Sequence, residues 1–223
     1  MLKAILFDLD GTLVNTDPIH YLAWQEMLSH HGLEIDETFY KTRISGKLNP
    51  EIIKDILPDL STERAEEFAD KKEALFRDKA PSLEPLPGLK ELLTWTETHG
   101  IQRALVTNAP RANAEYMLEV LDLKNTFHLV ILAEEEAAAK PDPTPYRVAL
   151  ERLEITPEQA IALEDSPSGL RSAVGANIPT IGVASTHDPD KLIEIGAFLA
   201  IPDFTDLHLW TFLNSAIAEL VPQ

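Results

Sequence analysis

Four short stretches of this chain carry side chains able to do chemistry on a charged substrate, and each lies at or beyond the end of an apolar run. Asp8-Leu9-Asp10-Gly11-Thr12 follows the run Leu2 to Phe7, and Thr107-Asn108 follows Ile101 to Val106. Lys140-Pro141 lies downstream of Leu129 to Leu132, and Glu164-Asp165-Ser166 follows Ala160 to Leu163. The set is dominated by hard oxygen donors. Magnesium takes such donors in octahedral geometry, so Asp8, Asp165 and the main-chain carbonyl of Asp10 are expected to hold Mg2+, with Glu164 behind them. Each piece alone has a bland explanation. Asp-x-Asp is a common turn pattern, a lone lysine is usually solvated, Thr-Asn can end a strand, and Glu-Asp-Ser before a proline can cap a helix. Their joint placement at four strand ends is what points to a site.

A phosphoryl group is the substrate that suits this set. Its negative charge repels an attacking carboxylate, so reaction depends on positioning and neutralisation. The expected course is attack of Asp8 on phosphorus to give an aspartyl-phosphate. Asp10 protonates the leaving oxygen and later deprotonates the incoming water or hydroxyl. Lys140 and the side chains of Thr107 and Asn108 are expected to bind the phosphoryl oxygens. On an extended chain Asp8 and Asp10 would face the same side, so the chain must turn after Asp8 for their roles to separate, and Gly11 permits that bend.

The elements that must position these residues alternate between β-type runs and helical patterns. Leu2 to Phe7, Ile101 to Val106, Leu129 to Leu132, Ala160 to Leu163 and Thr180 to Val183 read as five short strands, apolar on both faces. That is the pattern of a parallel sheet covered by helices on both sides, and it predicts an α/β fold. Helical segments are predicted over Ala112 to Leu121, Pro145 to Leu153, Ser168 to Ala176 and Pro189 to Ile195. In such sheets the chemistry sits at the carboxyl ends of the strands. One interval breaks the rhythm. Between the first and second strands the pattern is helical throughout, with segments at Ile19 to His30, Pro50 to Leu57 and Glu63 to Phe76 and a proline-rich return at Leu83 to Gly88. Residues 1–14 and 86–223 are therefore expected to form the catalytic core, and 15–85 an inserted helical cap.

Composition narrows the partners. A chain of 223 residues with 44% hydrophobic content suffices for one sizeable core plus an insertion. A formal charge of -18 and a pI near 4.7 argue against nucleic acid and anionic lipid, which need a basic footprint. The same acidity repels a phosphorylated metabolite, so binding one requires a cation and a few placed lysines or arginines. With no cysteine, thiolate chemistry is excluded. No apolar run reaches the roughly 20 residues that cross a bilayer, and the N-terminus meets acidic residues too early for a secretory signal. A cytoplasmic protein is expected, monomeric, with a dimer as the alternative.

In this order and spacing the four motifs resemble the haloacid dehalogenase superfamily, and the early helical insertion resembles its small-cap branch of phosphatases and phosphomutases. Phe7-Asp8-Leu9-Asp10-Gly11-Thr12-Leu13-Val14 and Glu164-Asp165-Ser166-Pro167-Ser168-Gly169 carry most of the resemblance, which covers nearly the whole chain. It implies a Rossmann-like core with a helical-bundle cap, Mg2+ as cofactor, and the roles given above for nucleophile, acid/base, phosphate binder, lysine and metal-binding acids. In the cap, His20 lies four residues before Trp24, and its placement resembles a histidine of the sugar-phosphate mutases and related phosphatases. Arg43-Ile44-Ser45-Gly46-Lys47-Leu48-Asn49 resembles the cap loop that carries specificity residues. Gly46 then marks the turn, and Arg43 and Lys47 are candidate contacts to the distal part of an anionic substrate. Lys72 matches the position of a cap lysine in β-phosphoglucomutase.

Within that family, Asp10 argues against a dehalogenase, which has no leaving alcohol to protonate. A phosphomutase of the β-phosphoglucomutase type must grip a second phosphate, and the arginine it carries shortly after the cap glycine is Asn49 here. Thr107-Asn108 is the more phosphatase-like form of the second motif. The expected activity is hydrolysis of a small phosphorylated metabolite, a sugar phosphate or similar phosphomonoester. The mutase is the alternative, and a phosphonate hydrolase using Lys47 or Lys54 ranks below it. A non-catalytic binding module is a different class of reading. Against it, four clustered carboxylates without a metal would repel one another.

Overall fold

The computed structural model describes residues 1–218, which fall into two compact units, 1–15 with 84–218 and 16–83. The larger unit is built on a parallel sheet of β1 (Ala4–Phe7), β2 (Gln102–Thr107), β3 (Leu129–Leu132), β4 (Ala160–Glu164), β5 (Thr180–Val183) and β6 (Leu199–Ile201), in the order β3-β2-β1-β4-β5-β6. β1, β4 and β5 are buried along their whole length, as uninterrupted apolar runs in a helix-covered sheet must be. Among the described residues, six strands replace the five expected. β6 has only three residues and pairs on one side, with β5, so it leaves no periodic signal in the sequence.

The helices of this unit are α5 (Leu89–Thr98), α6 (Arg111–Val120), α7 (Thr144–Arg152), α8 (Pro167–Gly175), α9 (Pro189–Ile195) and α10 (Leu207–Ala218). Prolines open α8 and α9, where a missing N–H costs nothing. On one face of the sheet, Ala4, Leu6, Ala104, Val106, Ala160 and Ala162 pack against Tyr146, Ala149 and Leu150 of α7 and Ala173 of α8. The small alanines of β4 let α7 approach closely, which bears on the site below.

The second unit is helical: α1 (Asp17–Ser29), α2 (Glu37–Arg43), α3 (Asn49–Ile56) and α4 (Thr62–Lys79). Asp36 caps α2 by accepting from Phe39 N–H at 2.7 Å, and Ser61 caps α4. Its own apolar core gathers Trp24, Leu28, Ile35, Tyr40, Ile44, Ile52, Ile53 and Phe68.

Candidate active site

Register places the site. Phe7 pairs with Leu105 on β2 and Leu163 on β4, so the next residue, Asp8, falls level with Val106 and Glu164 at the carboxyl edge. Asp8 N–H still donates to Leu163 O at 3.1 Å, after which the chain turns. Gly11 N–H donates to Val14 O at 2.7 Å and Leu13 N–H to Leu9 O at 2.9 Å. Gly11 takes φ +80°, and a Cβ there would strike the Asp165 carboxylate, so the turn needs glycine for both conformation and space. Asp165 is thereby brought against the first loop.

Lys140 is at the centre. The residue is 3% exposed, and its ammonium donates to Asp8 Oδ1 at 2.7 Å, Glu164 Oε1 at 2.6 Å and the Val106 carbonyl at 2.7 Å. One carboxylate oxygen from each of Asp8, Glu164 and Asp165 lies within 4.8 Å of the others. This trio, found among the described residues, does not include Asp10, which is half-exposed on the turn. A hard divalent cation fits a donor set made only of carboxylate oxygens. Asp8 and Asp165 would hold it. Glu164 Oε1 is already engaged by Lys140 and by the Tyr146 hydroxyl at 2.5 Å.

The electrostatics follow from burial. Lys140 is shifted upward: burial alone would lower it, and the charges of Asp8 and Glu164 more than reverse that, so it stays an ammonium. Asp8 is shifted upward by burial, against the pull of Lys140 and with a further push from Asp10. Glu164 is pushed up to about 7, by burial first, partly offset by Lys140 and reinforced by Asp8. One lysine cannot neutralise three buried carboxylates. The excess negative charge is relieved by a proton near neutrality or by a bound cation.

The remaining core residues singled out from sequence fall beside this cluster. Thr107 is buried, and its hydroxyl accepts from Ala109 N–H at 2.9 Å. Asn108 makes a contact the sequence does not announce: its side-chain amide is bonded to the main chain of Lys140. Ser166 caps α8 by accepting from Gly169 N–H at 3.1 Å, so the cap and the acidic pair coexist as expected. Sequence reasoning missed three side chains. Tyr146 donates to Glu164, the Thr186 hydroxyl donates to Asp165 Oδ2, and Ser185 donates to the Gly11 carbonyl. The one available signal was an aromatic residue six positions after Lys140 in a proline-rich segment; Ser185 and Thr186 carry none.

In the helical unit, the Lys72 ammonium lies 2.7 Å from Glu73 Oε1 and 3.0 Å from His20 Nδ1. Asn49 Nδ2 donates to the same Glu73 oxygen at 2.5 Å, and the His20 ring stacks on Phe76 with centroids 4.1 Å apart. His20 and Lys72 are thus brought together, with Asn49 and Glu73 added. Arg43 is spent on Asp55, with Nε and one terminal nitrogen each 2.8 Å from Oδ2. Gly46 takes φ +75° in an exposed turn, and Lys47 beside it is exposed.

Comparison with known proteins agrees with this geometry. The family described as haloacid dehalogenase-like hydrolase matches residues 5–183. The phosphorylated carbohydrates phosphatase of Thermotoga maritima is 32% identical over 200 residues, covering 88% of this chain and 92% of its own length. Validoxylamine A 7'-phosphate phosphatase of Streptomyces hygroscopicus subsp. limoneus is 30% identical over 209 residues, covering 93% and 97%. The crystal structure of β-phosphoglucomutase from Clostridium difficile matches with a TM-score of 0.83 at 25% identity, over 98% of this chain and 100% of that one. With the family match spanning the strand-end carboxylates and the buried lysine, the chain belongs to the haloacid dehalogenase-like hydrolases.

Proposed function

We propose that this protein is a magnesium-dependent phosphatase that hydrolyses a small phosphorylated metabolite, a sugar phosphate or similar phosphomonoester, through an aspartyl-phosphate on Asp8. The observation that carries the reading is the Lys140 ammonium shared between Asp8 and Glu164, beside a carboxylate trio suited to a divalent cation. The named phosphatases among its relatives support the substrate class.

In this reading an Asp8 carboxylate oxygen attacks phosphorus and the bond to the leaving oxygen breaks, while Asp10 delivers a proton to that oxygen. Water then attacks the phosphorus of the aspartyl-phosphate, Asp10 takes its proton, and inorganic phosphate leaves with Asp8 restored. Lys140 offsets charge on Asp8 and on the phosphoryl oxygens throughout. Thr107, whose oxygen already accepts from Ala109, has its hydroxyl hydrogen left to donate to a phosphoryl oxygen. Asp8 and Asp165 would hold Mg2+, which would supply charge neutralisation for the phosphoryl group. We assign substrate selection to the helical unit, a cap in function, through His20, Gly46, Lys47 and Lys72, and the setting to the cytoplasm as a monomer.

A mutase would need a cationic grip on a second phosphate. Asn49 is a neutral amide whose donor is bonded to Glu73, which favours hydrolysis over transfer to a second substrate hydroxyl. The test is phosphate release from p-nitrophenyl phosphate and from a panel of sugar phosphates with and without Mg2+. Release that needs the metal, disappears in Asp8→Asn and labels the Asp8 peptide in a rapid quench is the expected result. β-Glucose 1-phosphate with a trace of its bisphosphate is expected to yield free phosphate. Conversion to glucose 6-phosphate instead would establish the mutase, and release insensitive to Asp8→Asn would remove the mechanism.

A further inference from the structure

We infer that Tyr146 is a positioning residue that aims the Lys140 ammonium at Asp8 by fixing Glu164, an inference that rests on the roles proposed above for Asp8 and Lys140. Tyr146 lies in the first turn of α7 and is wholly buried on the sheet face formed by Leu6, Val106, Ala160 and Ala162. Glu164 has the same parity as Ala160 and Ala162 along β4, so it projects to that same face. There the phenol donates to Glu164 Oε1 at 2.5 Å, the oxygen that also accepts from Lys140 at 2.6 Å.

Lysine ends a flexible stem with three rotatable donors, so its direction is set by its acceptors. Lys140 has three within 2.7 Å, which are Asp8 Oδ1, Glu164 Oε1 and the Val106 carbonyl. The Val106 carbonyl is held by the strand. Glu164 is a side chain, and what holds its carboxylate is the hydroxyl of Tyr146 on one side and the close approach of Gly169, where a Cβ would clash with it, on the other. Without the hydroxyl, Oε1 has only the ammonium as donor, and the carboxylate can swing and draw Lys140 off Asp8. A phenol suits this task because it adds a donor without adding charge. The ring also stands 5.2 Å from Lys140 Nζ, so Phe at this position would keep the packing and the cation–π contact and lose only the O–H.

A double-mutant cycle in the full chain with Mg2+ tests this, using Tyr146→Phe, Glu164→Gln and the pair, with kcat and KM on p-nitrophenyl phosphate and the thermal midpoint for each. Tyr146→Phe alone is expected to lower kcat about tenfold with KM held within about twofold, the pattern of a lost transition-state interaction. In the Glu164→Gln background the same substitution is expected to change kcat by less than about twofold, because the group it acts through is already altered. An unchanged kcat with only a lower thermal midpoint, or an equal loss in both backgrounds, would overturn the inference. Asp8→Asn and Lys140→Met separate the two layers. If either retains full turnover, the underlying reading fails. If both are inactive and Tyr146 shows no coupling, this inference alone fails.

Discussion

The side-chain amide of Asn108 grips the main chain of Lys140 at both polar groups, its Nδ2 donating to the carbonyl and its Oδ1 accepting from the N–H, each at 3.1 Å. Asn108 thereby ties the end of β2 to the loop that carries the central lysine. Asn108→Ala is expected to cost about 1–3 kcal/mol of stability and to lower kcat at least about tenfold, since small misplacements of a catalytic charge are expensive. Asn108→Asp keeps the acceptor but sets a carboxylate against a carbonyl, and should do worse. Urea unfolding with steady-state kinetics checks both. Reduced stability with undiminished kcat would show that the clamp serves folding alone.

Stability of the metal-free protein is expected to depend on pH through Glu164. Its folded value of about 7 exceeds its reference value of 4.5, so between these the native state binds more protons than the unfolded chain. Stability is therefore greatest below that window and falls as pH rises through it. A cation binds the ionised carboxylates and displaces the proton, so Mg2+ should stabilise the protein more at about pH 8 than at about pH 6. Thermal melts with and without Mg2+ across this range measure the difference. Equal stabilisation at both ends would mean that the metal does not meet this cluster.

Gly169 lies where any Cβ would overlap the Glu164 carboxylate, although its backbone is ordinary helix. Gly169→Ala would gain helix propensity of about 1 kcal/mol at an unconstrained site, yet here it is expected to lower both stability and kcat. Calorimetry and kinetics on this one variant decide the sign. If Gly169→Ala gives a more stable and fully active protein, Glu164 can relocate at no cost.

In the helical unit, Glu73 is the counter-ion of a buried lysine. Burial raises its carboxyl, and Lys72 and His20 more than offset that, leaving it below its reference value of 4.5. A depressed acid stabilises above its unfolded value, and that contribution disappears as pH falls through the folded one. Glu73→Ala leaves Lys72 without this partner and should cost about 3 kcal/mol. Replacing both, as Glu73→Leu with Lys72→Met, should recover most of it. Hydrogen exchange resolved by peptide should place the Glu73→Ala loss in residues 16–83. A loss spread evenly over β1, β4 and β5 would contradict the assignment.

Much of the site was legible because its residues stand immediately after the elements that position them. Asp8 ends a run that reads as a strand from its apolar residues alone, and Glu164-Asp165 ends another. In a parallel sheet both ends lie on one edge. Thr107-Asn108 stands at a strand end for the same reason, but the Asn108 clamp was not legible, since its amide binds a main chain 32 residues away that no local pattern announces. Arg43 looked like a ligand contact by position, yet Asp55, twelve residues on, takes its guanidinium.

By itself the sequence determined the class of fold and the chemical inventory, because apolar periodicity dictates which segments are strands and covalent connectivity dictates which polar residues stand at their ends. It left open which of those groups touch. Tertiary packing alone decided that Lys140 faces Asp8 and Glu164 together, that α7 brings Tyr146 under β4, and that Asp165 rests against Gly11. Those contacts join residues far apart in the chain, and their distances depend on strand register and helix approach, which are set by the packing of the whole core.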